Sequence, residues 1–285
     1  VEGADFAASD SLPRAVLRHA GVDQTRLDSL LADVHELYHR GEKLGLGSSA
    51  ASTAALLEAL AGECSPAARF ATAFTAHREI QRGRGSGGDI AAACFRGLLA
   101  YKLVEPQEPF PLLELNNTRG DVVADVARIA EMSSPGGAPL PPGVRIEAVW
   151  TGAPASSTQL IGRVELALAK DPERVRDALE RIAACAEDGI RALESNNSAD
   201  FIRVIDEAGE AMDALGLLCE APIVTALHRK LARSVRAAGA ACKPSGAGGG
   251  DFSLIVGASD LDWGEILGDL PEGCEHIALR IVSKG

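Results

Sequence analysis

Lys43-Leu44-Gly45-Leu46-Gly47-Ser48-Ser49-Ala50-Ala51 is the stretch on which the reading of this chain turns. Two glycines one residue apart precede two serines, and the run from Ala50 to Leu60 is rich in Ala and Leu, strong helix formers. The pattern predicts a tight turn feeding a helix. Glycine admits positive φ and lets the backbone come close to a ligand. Successive backbone N–H groups in such a turn form a concave nest for an anion. A helix starting behind it adds N–H donors and the positive end of its dipole. A loop of this design holds a di- or triphosphate without a large basic patch. It lacks the G-x-x-x-x-G-K-[ST] and G-x-G-x-x-G patterns of the commonest phosphate-binding loops. Taken alone, it reads first as a structural turn.

Working outward, residues 12–19 read as a short helix. A second is expected from Gln24 to His39, where Leu27, Leu30, Leu31, Val34, Leu37 and Tyr38 recur at helical spacing. Ser65-Pro66 opens a helix running to about Gln81, with serine at the cap and proline in the first turn. A second glycine loop, Gly83-Arg84-Gly85-Ser86-Gly87-Gly88-Asp89, leads into a helix at Ile90. The breaker cluster over 133–143 predicts a surface loop near a domain boundary, dividing the chain into 1–143 and 144–285. Arg145 to Trp150 alternates like a strand. Residues 156–238 read as helices broken near Asp171-Pro172, Asn196-Asn197 and Ala221-Pro222. A third glycine loop, Lys243-Pro244-Ser245-Gly246-Ala247-Gly248-Gly249-Gly250-Asp251, enters the apolar strand 252–256. A short helix over 260–268 and a strand over 276–282 follow. Helices and strands mixed in this order predict an α+β protein of two domains.

With 285 residues the chain can bury a substantial core without a disulfide or metal staple. Its 28 Lys+Arg against 40 Asp+Glu leave a net charge of −12, which argues against a general binder of nucleic acid or anionic membrane. It does not argue against a phosphorylated substrate, which a few local donors can hold. No apolar run approaches the length of a membrane span. Cys64, Cys94, Cys185, Cys219, Cys242 and Cys274 are scattered without a C-x-x-C and read as core residues of a reduced, cytoplasmic protein. His35-Glu36-Leu37-Tyr38-His39 spells H-E-x-x-H, which on a helix sets two imidazoles on one face for zinc. No third histidine follows at the extended spacing, and the stretch leads straight into the first glycine loop; a solvated helix face is the expectation. The chain opens on Val1 with neither Met nor a leader peptide, and is expected to begin inside a longer sequence.

Together the loops resemble the GHMP kinases, the superfamily of galactokinase, homoserine, mevalonate and phosphomevalonate kinases. Residues 43–51 resemble its second motif and residues 243–251 its third. Gly85-Ser86-Gly87-Gly88-Asp89-Ile90-Ala91-Ala92 is similar to the aspartate loop of the phosphomevalonate branch. Trp150-Thr151-Gly152-Ala153-Pro154-Ala155-Ser156-Ser157-Thr158 is similar to that branch's W-T-G-x-P-A-S-S signature. The resemblance covers nearly the whole chain, in order. It implies an N-terminal domain like domain 2 of ribosomal protein S5, a ferredoxin-like C-terminal domain and a cleft between them. It also implies a first motif carrying a lysine ahead of Lys43, and no such segment stands upstream.

The activity so implied is ATP-dependent phosphorylation of 5-phosphomevalonate to 5-diphosphomevalonate, in the mevalonate route to isoprenoids. Another small acceptor, or nucleotide binding without catalysis, remains open. ATP and Mg²⁺ are the implied cofactors, and the assembly a monomer or homodimer. Gly45, Leu46, Gly47, Ser48, Ser49 and Ala50 would wrap the ATP phosphates, with Ser49 reaching the Mg²⁺. Asp89 would orient or deprotonate the acceptor, and Lys43 would contact the transferring phosphate. Arg84, Ser86, Gly88, Ser156, Ser157, Ser245, Gly246 and Ala247 would hold the acceptor, with Arg82 beside them. Asp251 would stabilise its loop. The serines and Asp89 could equally be helix N-caps, and the basic residues plain surface charge.

Overall fold

The structure is a computed structural model; it describes residues 11–23, 25, 37–39, 41–62, 64–81, 85–101 and 140–278. The chain forms two compact units, one of residues 1–37, 46–139 and 283–285, the other of residues 38–45 and 140–282.

The described part of the first unit is helical: α1 (Leu12–His19), α2 (Ser48–Leu60), α3 (Pro66–Ile80) and α4 (Gly88–Phe95). Small residues let these helices close on one another. Ala50, Ala54, Ala73, Ala76 and Ala91 are buried among Val16, Leu57, Phe70, Phe74, Ile90 and Phe95. The α3 start follows its sequence signals, for the Ser65 hydroxyl accepts the Ala68 N–H at 3.2 Å and Pro66 fills the first turn. Buried between α2 and α3, Thr53 Oγ1 meets His77 Nε2 at 3.1 Å.

The second unit opens with a hairpin of β1 (Tyr38–His39) and β2 (Glu42–Lys43), paired Tyr38 to Lys43 and His39 to Glu42. This corrects the expected helix at its end: the chain reverses at Gly41, at φ +84°, and the backbone groups of Tyr38 and His39 pair across a ladder. Gln24 and residues 26–36, the rest of that expected helix, lie outside the described residues.

A four-stranded sheet follows, made of β3 (Val144–Trp150), β4 (Ala241–Pro244), β5 (Phe252–Ala258) and β6 (Glu275–Ile277). Its order is β4-β5-β3-β6 and every neighbouring pair is antiparallel. Between β3 and β4 run α5 (Ser157–Lys170), α6 (Pro172–Glu194), α7 (Ser198–Leu218) and α8 (Ala226–Ala237); α9 (Trp263–Gly268) joins β5 to β6. This is a split β-α-β-β-α-β sheet with an elaborated first crossover, the ferredoxin-like order. The breaks between α5, α6 and α7 fall at the expected Asp171 and Asn197, whose side chains cap the next helix by accepting the Arg174 and Asp200 N–H groups. Residues 279–282 of the expected last strand lie outside the described residues, and β4 occupies the start of what reads in sequence as loop.

Candidate active site

The stretch from Lys43 to Ala50 begins in the second unit and passes into the first after Gly45. Lys43 closes β2. Leu44 is buried against Ala148, Trp150 and Phe252, which pins the strand end. Gly45 turns at φ +69°, and the Asp251 carboxylate stands against it: a Cβ at position 45 would lie 2.2 Å from Cγ of Asp251.

Asp251 is the knot of this unit. Its own φ is +54°. Its N–H donates to the Ala153 carbonyl at 2.8 Å, and its carbonyl accepts the Thr151 N–H at 2.9 Å and the Thr151 hydroxyl at 3.0 Å. Its Oδ1 accepts the Ala155 N–H at 3.1 Å. The signature turn Trp150–Ala155 and the third loop are thereby one assembly. That assembly delivers Ser156 and Ser157 to the start of α5, both exposed. Ser156 holds the N-cap position without making a capping bond, so its hydroxyl is not spent on the helix. In the third loop the Ser245 N–H donates to the Phe252 carbonyl at 2.7 Å and the Gly248 N–H to the Ser245 carbonyl at 3.1 Å. Gly246 and Ala247 form its exposed tip. Beneath it, the Lys243 ammonium donates to the Pro244 carbonyl at 2.8 Å, and burial lowers its pKa.

In the first unit, Gly47 caps α2 at φ +70°, with Leu46 exposed before it. Ser48 is buried, Ser49 exposed and Ala50 buried. A Cβ on Gly47 would stand 3.4 Å from the Asp89 Cβ, so the start of α2 and the start of α4 are neighbours. Gly87, not Asp89, is the α4 cap, and neither helix has a side-chain cap. Asp89 lies in the first turn, where its Oδ1 accepts the Ile90 N–H at 2.9 Å. Two helix N-termini thus meet at one carboxylate, whose negative charge their free N–H groups and dipoles favour. The aspartate loop is braced from behind. Tyr101 donates its hydroxyl to the Ser86 carbonyl, and the Ser86 hydroxyl accepts the Gly88 N–H at 3.4 Å. Burial, and then the charge of Asp89, raise the Tyr101 pKa. Burial lowers that of His77, which the Asp89 charge partly opposes.

The structure brings Gly47 and Asp89 together in the first unit, and Gly45, Ser156, Ser157 and the third loop together around Asp251 in the second. Arg82 and Arg84 lie outside the described residues. The capping alternative fails for Asp89, Ser48 and Ser49, because glycine takes the cap before each helix.

The zinc reading fails at His39, which stands on β1, binds Glu275 Oε2 through Nε2 at 3.1 Å and meets the Trp150 ring edge-on at 5.2 Å. His35 and Glu36 are outside the described residues, among which no cluster of three or more His, Cys, Asp or Glu is disposed to hold a metal. The six cysteines are unpaired, and burial pushes the Cys94 and Cys242 thiols up to about 12, which leaves them inert. Among the described residues no helix is long and apolar enough to cross a membrane.

Sequence reading passed over Tyr101 and His228. Tyr101 carries no motif around it. His228 had one faint signal, Thr225 three residues before it, the spacing of a capping box.

Residues 30–97 match the GHMP kinases N terminal domain. A phosphomevalonate kinase of Streptomyces sp. (strain CL190) is 34% identical over 232 residues, 77% of this chain and 59% of that protein. The chain thus spans under two thirds of that relative. Among solved structures, a Lin0012 protein from Listeria innocua superposes with a TM-score of 0.69 at 24% identity, over 98% of this chain and 79% of that one. The Streptococcus pneumoniae phosphomevalonate kinase in complex with phosphomevalonate and AMPPNP superposes with a TM-score of 0.68 at 20% identity, over 96% of this chain and 82% of that one. By its matched segment and its relative, this chain is similar to the GHMP kinases, and it shares the fold of these solved structures.

Proposed function

We propose that this chain transfers the γ-phosphoryl group of ATP to the phosphate of 5-phosphomevalonate, giving 5-diphosphomevalonate and ADP. The observation that carries the reading is the approach of Gly47 to Asp89, which sets an uncapped helix start beside a carboxylate. The name of the Streptomyces relative and the two ligands of the pneumococcal structure supply the acceptor and the donor.

In the reaction an oxygen of the acceptor phosphate bonds to Pγ, while the bond from Pγ to the bridging oxygen breaks and leaves with ADP. Such transfers depend on positioning and charge neutralisation. The first-turn N–H groups of α2 receive the ATP phosphates, and Lys43 receives the transferring group. Asp89 orients the attacking oxygen and accepts its proton when the acceptor arrives protonated. Ser156, Ser157 and the tip Ser245–Ala247 hold the acceptor, with Arg84 neutralising its charge. Mg²⁺ fits this donor set. It is a hard ion that keeps waters and binds through few protein oxygens plus the nucleotide, and the exposed Ser49 hydroxyl in the first turn of α2 is such an oxygen. When bound it would screen charge on the phosphates. The cytoplasm is the compartment we assign, supported by six unpaired cysteines.

The test is an acceptor screen on the full-length protein with ATP and Mg²⁺, following the product by ³¹P spectroscopy. A new diphosphate signal with phosphomevalonate, and none with mevalonate, is expected. Preference for mevalonate or a sugar would overturn the acceptor, and absence of any transfer would overturn catalysis.

A further inference from the structure

His228 lies in the first turn of α8, 1% exposed. Its Nδ1 accepts the Thr225 N–H at 3.1 Å and meets the Thr225 hydroxyl at 2.9 Å. That hydroxyl accepts the His228 N–H at 3.3 Å in return. A backbone N–H can only donate, so Nδ1 carries no proton and the neutral ring carries it on Nε2. Nε2 is therefore a donor sealed from water, and it makes no fully formed hydrogen bond. What it faces is the backbone of Gly250, in an interaction that favours the protonated ring and so comes from the carbonyl.

Gly250 is wedged from its other side. A Cβ there would lie 2.5 Å from the Ala153 carbonyl oxygen. The preceding residue, Gly249, donates its N–H to the Ile223 carbonyl at 2.7 Å. The base of the third loop is thus gripped between the signature turn and the segment that leads into α8. A sealed N–H without a full partner is costly, and the Gly250 carbonyl is the acceptor that stands before it.

We infer that His228 is a positioning residue: its Nε2–H holds the Gly250 carbonyl and so sets the third glycine loop against the signature turn. The consequence for catalysis rests on the phosphotransfer reading, in which the tip of that loop receives the acceptor.

Two substitutions separate the two ends of the ring. His228→Asn places an amide oxygen where Nδ1 lies and nothing where Nε2 lies, so the Thr225 cap survives and the Gly250 contact does not. His228→Gln places an amide N–H near Nε2 and weakens the cap. In the full-length protein, His228→Asn is expected to speed amide exchange over 245–252 by about tenfold and to raise the acceptor KM by about tenfold, with kcat and Tm little changed. His228→Gln is expected to restore both readings despite a lower Tm. Unchanged exchange over 245–252 in His228→Asn would overturn the inference, as would kinetic losses that track Tm in both variants. The wild-type protein supplies a reading without any variant: imidazole ¹⁵N spectra should show the proton on Nε2, and a proton on Nδ1 would overturn it. Exchange and spectra need no acceptor. A responsive loop in a protein that does not turn over phosphomevalonate supports the role of His228 while sinking the acceptor assignment.

Discussion

The Asp251 carboxylate fills the space that a side chain at position 45 would need, with Cγ 2.2 Å and Oδ2 2.5 Å from the Cβ that Gly45 lacks. The first glycine loop and the third are therefore fitted to each other at one point, and glycine at 45 is required twice, by φ and by space. Gly45→Ala should meet about 1–2 kcal/mol of left-handed strain and about 1–3 kcal/mol of overpacking. The second part should be relieved in Gly45→Ala/Asp251→Gly. Urea denaturation of the two single variants and the double one reads this directly. A coupling below about 0.5 kcal/mol would mean that the two residues are independent.

Gly47 differs from Gly45 in having room. A Cβ there meets the Asp89 Cβ at 3.4 Å, an ordinary contact, so Gly47→Ala should cost stability mainly through its φ of +70°. Gly47→Val adds branched methyls beside Asp89, where we place the ATP phosphates. The expectation is a fall in ATP affinity of at least about tenfold, more than 1.4 kcal/mol, in a protein whose circular dichroism is unchanged. Calorimetry that finds ATP binding intact would remove the phosphate-loop role.

Much of this was legible because it depends on local chemistry. Ser65-Pro66 announces a helix start whatever surrounds it and caps as expected, and the breaks read at Asp171-Pro172 and Asn197 prove to be helix starts that those two side chains cap. The three glycine loops were visible for the same reason. The hairpin at Tyr38–Lys43 was not, since its pattern of apolar residues continues a helical period and only pairing across Gly41 decides for strand. Nor was the division of labour among the loops: that Asp251 joins Gly45 to Ala155, or that Gly87 takes the cap and leaves Asp89 uncommitted to it, depends on contacts between distant residues.

Asp89 sits in the first turn of α4 without being its cap, which makes its two roles separable. Asp89→Asn keeps the size and an acceptor for the Ile90 N–H. The loss of charge near the helix start should cost about 0.3–1 kcal/mol of stability. Turnover should fall by about 100-fold or more, as for the loss of an acid–base or orienting group. Steady-state kinetics beside a melting curve distinguish the two. Wild-type turnover would take Asp89 out of the reaction.

Burial holds His228 near a pKa of about 4, with the Gly250 backbone opposing and the Arg229 charge assisting. In the unfolded chain the ring titrates near its ordinary value of 6.5. The unfolded state therefore binds more protons between these values, and stability rises with pH across that window. The contribution is fully present above 6.5 and is lost as pH falls through about 4, amounting to about 3 kcal/mol over the interval. His77, lowered by burial, adds in the same direction. Unfolding free energies measured from pH 7 to pH 4 should slope less steeply in His228→Asn than in wild type. Parallel curves would show that the ring does not titrate on unfolding.

Acceptor choice is the last test, and charge decides it. A phosphomonoester carries close to two negative charges near neutral pH. Setting it beside the ATP γ-phosphate is opposed by Coulomb repulsion that grows as water is excluded. A chain of net charge −12 must gather its cations and N–H donors locally to allow this. Lys43 stands at the end of β2, two residues before the Gly45 turn, and is the cation whose backbone is closest in sequence to the phosphate loop. Lys43→Met keeps the aliphatic stem and removes the charge. Since the first-turn N–H groups of α2 remain, ATP affinity should change little. The kcat/KM for phosphomevalonate should fall by about 100-fold, roughly 2.7 kcal/mol of transition-state stabilisation. Mevalonate, which brings no second phosphate, should show a smaller loss for whatever turnover it supports. Equal losses with the two acceptors would mean that Lys43 serves the γ-phosphate alone, and unchanged phosphomevalonate kinetics would remove it from the site.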